Sequence, residues 1–107
     1  MSVIGIPQLM LPAAELITAM TGSSVLIGQL LQTPLKLVLD NQSTSSVVLS
    51  ISFDNGTTKI QWKTFSAGEA LILDDDLWTF PKGTYFYGNG AANGNFSISY
   101  TYIKQSG

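Results

Sequence analysis

The stretch SVVLSISFDNGTTKIQWKTF, residues 46–65, decides the fold. Its first half alternates apolar side chains with mostly polar ones, which is the two-residue period of a half-buried strand. The pair Asn55-Gly56 follows, and it favours a type I′ turn because both turn positions need positive φ. The stretch therefore predicts a β-hairpin whose first strand presents one apolar face, made of Val47, Leu49, Ile51 and Phe53.

This turn also fixes which residues lie opposite each other in the hairpin. With Asp54 opposite Thr57, apolar residues face mainly apolar ones and polar residues face polar ones. Such a separation is typical of an antiparallel sheet that packs one face against a core. The predicted pairs are Ile51 with Ile60, Leu49 with Trp62, Val47 with Thr64, Ser50 with Gln61 and Ser52 with Lys59.

Four further segments carry strand signals, and clusters rich in Gly, Asn and Ser separate them. In the first of these, Leu35, Leu37 and Leu39 share one face. Many short strands with turns at this spacing predict an all-β fold, an antiparallel β-sandwich that is jelly-roll-like. The segments are LKLVLD (35–40), ALILDD (70–75), GTYFYG (83–88) and FSISYTYIK (96–104).

The N-terminal segment is open to two interpretations. PAAELITAMTG (12–22) fits a short helix, with Pro12 at its first position and Gly22 just past its end. It also fits an extended, apolar arm leading into a strand over residues 24–31, which we favour. We therefore divide the chain of 107 residues into an arm or short helix over residues 1–22 and a single β-sandwich domain over 23–107.

Charged side chains are scarce and unevenly spread. They make up 11% of the chain, against roughly 25% in ordinary soluble domains. Glu15 is the only one among residues 1–35. This part of the chain either fills the core or is covered by neighbouring subunits, and we favour the second. The interface candidates are Leu9, Leu11, Leu16, Leu30 and Leu31.

Missing residue types argue against several functions. The chain has no cysteine, histidine or arginine, so it lacks thiolate ligands, the usual proton shuttle and the usual phosphate binder. A net charge of −2 with only five lysines argues against nucleic-acid binding. Residues 25–39 are too polar to span a membrane, and no Lys or Arg precedes Lys36 to form a signal peptide. We expect no enzyme activity, no cofactor and synthesis in the cytoplasm.

Three adjacent aspartates, Asp74, Asp75 and Asp76, are the only candidates for a metal site. Calcium takes six to eight oxygen ligands, but this spacing does not match the calcium-binding loop of EF-hands. Neighbouring side chains on an extended segment also point in opposite directions. Our interpretation is that the run ends a strand and discourages edge-to-edge pairing, with no metal bound.

Aromatic residues offer an alternative function, carbohydrate binding or host attachment. Trp78, Tyr85 and Tyr87 would form a glycan platform if they were exposed together. Packing in the core or in an interface is the favoured interpretation for the aromatic residues, including Trp62. Asn-x-Ser/Thr triplets at Asn41, Asn55 and Asn95 are interpreted as turns rather than glycosylation sites.

The order of segments over residues 34–104, about two thirds of the chain, resembles small β-sandwich virion proteins of tailed bacteriophages. The matching pieces are LKLVLDNQSTSSVVLSISFDNGTTKI, FSAGEALILDD, FPKGTYFYGNG and GNFSISYTYIK. This resemblance implies a structural subunit of the virion that serves in capsid decoration, at the head–tail junction or in the tail. It implies copies of itself and other virion proteins as partners, and no catalytic residues. A homo-oligomer is the expected form.

Overall fold

The structure, a computed structural model, describes residues 13–73 and 80–102. These residues form eight β-strands and no helix. The strands are β1 (Ala13–Ala19), β2 (Val25–Gln29), β3 (Pro34–Asn41), β4 (Val47–Ser52), β5 (Ile60–Phe65), β6 (Ala70–Leu73), β7 (Tyr85–Gly90) and β8 (Asn95–Tyr102).

The strands form two four-stranded antiparallel sheets. Sheet I has the order β1-β8-β3-β6 and sheet II the order β2-β7-β4-β5. Every connection crosses from one sheet to the other except that between β4 and β5, which form a hairpin. Two sheets of four strands wound in this order make a jelly roll. The predicted all-β sandwich is therefore confirmed.

The core lies between the sheets, where more buried residues alternate with more exposed ones along most strands. Leu37 and Leu39 of β3 point into it beside Phe96 and Ile98 of β8. Aromatic rings meet edge to face across it, with centroids 5.1 Å apart for Phe65 and Phe96 and also for Phe80 and Phe86. Each such side chain stabilises the fold by about 1.5–3 kcal/mol through burial.

The hairpin of β4 and β5 follows the predicted register only near its turn. Ile51 pairs with Ile60 and Ser50 with Gln61, as predicted, but the predicted pair of Ser52 with Lys59 is absent because β5 begins at Ile60. The predicted pairs of Leu49 with Trp62 and of Val47 with Thr64 are wrong, because a β-bulge inserts Trp62 as an extra residue. Leu49 therefore faces Lys63, and Val47 faces Phe65. The bulge lets Trp62 pack against Phe65 and Phe80, with ring centroids 6.4 and 5.2 Å away.

The predicted apolar face of β3 holds for two of its three leucines. Leu37 and Leu39 are buried, but Leu35 is exposed. Pro34 pairs with Tyr102 and Lys36 with Thr101, so Leu35 is the extra residue of a second bulge. Proline has no N–H to give to the ladder, and it is tolerated in a sheet at such an irregular strand end.

The N-terminal segment is part of the sandwich from Ala13 onward. Residues 13–19, which we considered as arm or helix, are the edge strand β1 and pair with β8 throughout. The strand expected within residues 24–31 is β2. Leu16 of β1 reaches across to β2, where a Cβ on Gly28 would lie 2.8 Å from its side chain.

One end of the sandwich is closed by hydrogen bonds around Asn41, the fully buried last residue of β3. Its Nδ2 donates to the carbonyl oxygens of Ser45, Phe65 and Ser66 at 2.9, 3.3 and 2.9 Å. Its Oδ1 accepts from the amide and hydroxyl of Ser43 at 3.0 and 2.8 Å. This end joins the β3–β4 loop to the β5–β6 loop.

Candidate interaction surface

The opposite end of the sandwich exposes large apolar side chains. Among the described residues seven large hydrophobic side chains are exposed, and four of them lie at this end. We call these four the apolar end. They are Leu31 (62% exposed), Phe53 (57%), Ile60 (49%) and Leu35 (45%).

The topology places these four residues, which come from four separate places in the chain, at one end of the sandwich. Leu31 lies in the short β2–β3 connection and Leu35 at the start of β3. Phe53 follows the last residue of β4, and Ile60 opens β5. Ile60 pairs with Ile51, so it lies diagonally beside Phe53. Antiparallel pairing places all of these strand ends at the same end of the sandwich.

The backbone around Leu31 is held firmly although its side chain is exposed. Its amide donates to the hydroxyl of Tyr100 at 3.3 Å, and that hydroxyl donates to Oε1 of Gln32 at 3.2 Å. Leu30, its neighbour, exchanges backbone hydrogen bonds with Gly83 and Thr84 at 2.8 and 2.9 Å. The exposed side chain is therefore presented from an ordered loop, so binding would cost little ordering entropy.

The loop after Phe53 is ordered by Asp54. Its Oδ1 accepts from the Thr58 amide and the Ser52 hydroxyl at 2.8 and 2.7 Å. These hydrogen bonds, that from Thr58 first, hold the pKa of Asp54 below its usual value. Asn55 and Gly56 have φ of 60° and 88°, which confirms the positive φ that the Asn-Gly pair predicted.

Charged residues border the apolar end. Lys36 follows Leu35 and Asp54 follows Phe53, and both charged residues are exposed. An apolar centre within a charged rim is the usual anatomy of a protein–protein interface. Such a surface binds another protein by burying apolar area, while its rim charges set orientation and association rate.

The leucines predicted as interface residues fall in different environments. Leu31 is at the apolar end, and Leu16 is half-buried against the core. Leu30 is fully buried in the core, so its assignment to an interface is corrected: no surface of it is left for a neighbouring subunit. Leu9 and Leu11 lie outside the described residues.

The predicted glycan platform is only partly within the described residues. Tyr85 and Tyr87 lie on the outer face of sheet II and are half-buried. The Nζ of Lys59 lies 4.4 Å from the ring centroid of Tyr87, and Gly56 packs against its hydroxyl. The loop between β4 and β5 thus covers a ring that a sugar would need to stack on. Trp78 lies outside the described residues.

Asp74, Asp75 and Asp76, the three aspartates considered for calcium, also lie outside the described residues. Within the described ranges, no group of three acidic side chains is placed to hold a metal ion. Over the same ranges, no helix is long and apolar enough to cross a membrane.

Leu35, Phe53 and Ile60 were missed as surface residues because alternation assigned them to the apolar face. The available signals were Pro34 beside Leu35 and the polar run Asp-Asn-Gly after Phe53, both of which mark strand ends. Asn41 was interpreted as a turn residue, yet its side chain is buried and organises two loops. That burial removes Asn41 as a glycosylation acceptor in the folded chain.

Comparison with known proteins found no family model, no curated protein and no solved structure that matches this chain.

Proposed function

We propose that the protein is a non-enzymatic structural subunit of a phage virion that assembles with copies of itself and with other virion proteins. The observation that carries the assembly role is the apolar end, where Leu31, Leu35, Phe53 and Ile60 are each about half exposed on ordered backbone. Apolar patches rimmed by polar residues mark interaction sites on small soluble domains.

The scarcity of charge supports the same role. Only 11% of the residues are charged, against roughly 25% of the residues in ordinary soluble domains. Stable interfaces bury about 800 Å² on each partner. The apolar end would form the centre of such an interface, with Lys36 and Asp54 on its rim.

The fold agrees with a virion role without establishing one. Jelly rolls occur in viral capsid proteins and also in lectins and cupins, so the fold leaves the function open. The virion assignment rests on the resemblance of residues 34–104 to small phage virion proteins. The coverage of Tyr87 by Lys59 weighs against the lectin alternative.

The test is the mass of the assembly in solution, measured by sedimentation velocity on the full chain. We expect the wild-type chain to form a defined oligomer and Leu31→Asp to reduce it to a smaller species. Leu26→Asp is the matched control, because Leu26 is also exposed but lies within β2, opposite Tyr87, and not at the apolar end. An unchanged mass for Leu31→Asp, with circular dichroism showing a native fold, would rule out the apolar end as the contact.

A glycan array with the wild-type chain addresses the lectin alternative directly. Saturable binding that is lost in Tyr85→Ala, together with a monomeric mass, would replace the structural role by carbohydrate recognition. Electron microscopy of the oligomer is the complementary measurement, since a virion subunit should form closed rings or shells.

A further inference from the structure

Four of the strands that the structure describes are edge strands, and three of these carry features that discourage pairing with another chain. The β2 edge has a bulge between Leu26 and Gly28, and the β5 edge has the bulge at Trp62. The β6 edge is only four residues long.

The fourth edge, β1, carries none of these features. Its seven residues pair with β8 without a bulge, and they include no proline and no lysine. Its one charged side chain, Glu15, accepts a hydrogen bond from the hydroxyl of Ser97 on β8 at 3.0 Å. The carboxylate is therefore held toward the neighbouring strand and away from the open side, where no described strand pairs with β1.

We propose that β1 pairs antiparallel with β1 of a second copy, across a two-fold axis at Leu16. Sheet I would then continue through both copies as one sheet of eight strands. This inference deepens the proposed function by naming one contact between identical subunits. A self-complementary surface of this kind is what a two-fold interface requires.

Pairing geometry selects Leu16 as the centre. Residues directly opposite each other in an antiparallel pair share a face of the sheet. The two-fold axis must therefore lie between the two copies of one residue, which face each other. With the axis at Leu16, all seven residues of β1 are paired and Glu15 faces Ile17 of the partner. With the axis at Glu15, two carboxylates would face each other and two residues of β1 would lose their partners within the strand. With the axis at Ile17, two residues would again be left over.

The side chains of β1 suit this arrangement. Ile17 is 52% exposed on the outer face, where it would cover the aliphatic part of the partner's Glu15. Leu16 and Thr18 point inward, where Thr18 Oγ1 lies 3.4 Å from the carbonyl oxygen of Ile27. Leu16 and Thr18 both contact β2 of sheet II, and these contacts fix β1 in an extended conformation with which another strand can pair.

The test uses charge at position 17 in the full chain. Ile17→Glu would place the introduced carboxylate opposite Glu15 of the partner, twice by symmetry, and should weaken the dimer roughly tenfold or more. Ile17→Lys adds a charge of opposite sign at the same exposed position and should preserve the dimer. The double variant Glu15→Lys with Ile17→Glu should restore what Ile17→Glu alone removes.

These variants are best made in a Leu31→Asp background, so that contacts at the apolar end do not obscure the result. The inference predicts a dimer for Leu31→Asp, a monomer after adding Ile17→Glu and a dimer after adding Ile17→Lys. Equal masses for the two charge variants would overturn it. If wild type still forms the larger oligomer, the proposed function survives that result.

Hydrogen exchange on the wild-type chain gives a readout that needs no variant. In a β1–β1 dimer the amides of β1 on both sides are hydrogen-bonded, so all should exchange slowly. In the absence of that contact, alternate amides of β1 face solvent and should exchange fast. Fast exchange at alternate positions in the oligomer would overturn the inference even if a charge variant failed to fold.

Discussion

The carboxamide of Asn41 donates a 2.9 Å hydrogen bond to the carbonyl oxygen of Ser66, which lies 25 residues further along the chain. Together with its bonds to Ser43, Ser45 and Phe65, this contact ties β3 to the turn after β5. The side chain is fully buried, and its hydrogen bonds to Phe65 and Ser43 are buried as well.

Replacing Asn41 should therefore be costly. We expect Asn41→Leu to lower the free energy of unfolding by about 2–4 kcal/mol, because it leaves several buried polar groups without partners. Asn95→Ala is the control, since Asn95 is exposed at the same end. Urea unfolding followed by circular dichroism measures both, and similar midpoints for the two variants would contradict the role given to Asn41.

Gly56 is constrained by both its backbone and its surroundings. Its φ is 88°, and a Cβ there would overlap the hydroxyl of Tyr87. Gly68 has φ 73°, and no atom lies within 4 Å of the place that a Cβ would take. Gly68→Ala therefore measures only the stability lost through the unfavourable backbone conformation. We expect about 1 kcal/mol for Gly68→Ala and clearly more for Gly56→Ala.

Part of the stability lost in Gly56→Ala comes from overlap of the new Cβ with the Tyr87 hydroxyl. Removing that hydroxyl should therefore recover some of the loss. In thermal unfolding, the Tyr87→Phe change should be less harmful in the Gly56→Ala background than in wild type. Independent, additive effects of the two changes would show that the loop does not pack on Tyr87 as described.

Leu30 and Leu31 are neighbours in sequence with opposite roles. Leu30 is fully buried, so Leu30→Ala should cost about 2–5 kcal/mol of stability. Leu31 is 62% exposed, so Leu31→Ala should change stability by only about 0.5 kcal/mol. Chemical denaturation of each variant at several protein concentrations separates folding from any association. Equal losses would place Leu31 in the core as well.

Acidification should weaken the loop that carries Phe53. Hydrogen bonds from Thr58 and Ser52 lower the pKa of Asp54 in the folded chain, so the charged form stabilises the fold above the unfolded pKa. That contribution is lost as the pH falls through the folded pKa. Glu69, whose pKa is lowered by the Ser66 amide and by Lys63, should behave in the same way.

The measurement is the urea midpoint at about pH 6 and about pH 2.5. Asp54→Asn keeps an acceptor oxygen but has no charge to lose, so it should lose less stability on acidification than wild type does. Lys59→Gln is a control that alters a charge in the same loop without changing Asp54. If Asp54→Asn and the wild type lose the same stability on acidification, the charge of Asp54 does not contribute to the pH dependence.

Sequence patterns predicted the sandwich well because most of its strands alternate cleanly. Val47, Leu49 and Ile51 alternate with less buried residues and are themselves buried, and the Asn55-Gly56 turn forms as expected. Bulges were not predictable, because an extra residue such as Leu35 or Trp62 is selected by tertiary packing. One extra residue is enough to change the register beyond it.

The candidate surface was predicted less well than the fold. Scarce charge indicated that some apolar surface is covered, but it did not say which side chains remain outside. Leu30 and Leu31 carry the same side chain, and only their hydrogen-bonding neighbours, Thr84 and Tyr100, set one inward and the other outward. Such long-range contacts leave no local trace in the sequence.

The proposed assembly of the chain is tested most directly by the solution mass of the purified wild-type protein, measured by light scattering over a range of concentrations. We expect a defined oligomer with a mass that is a whole multiple of 11.5 kDa. A monomer of 11.5 kDa at every concentration would contradict it.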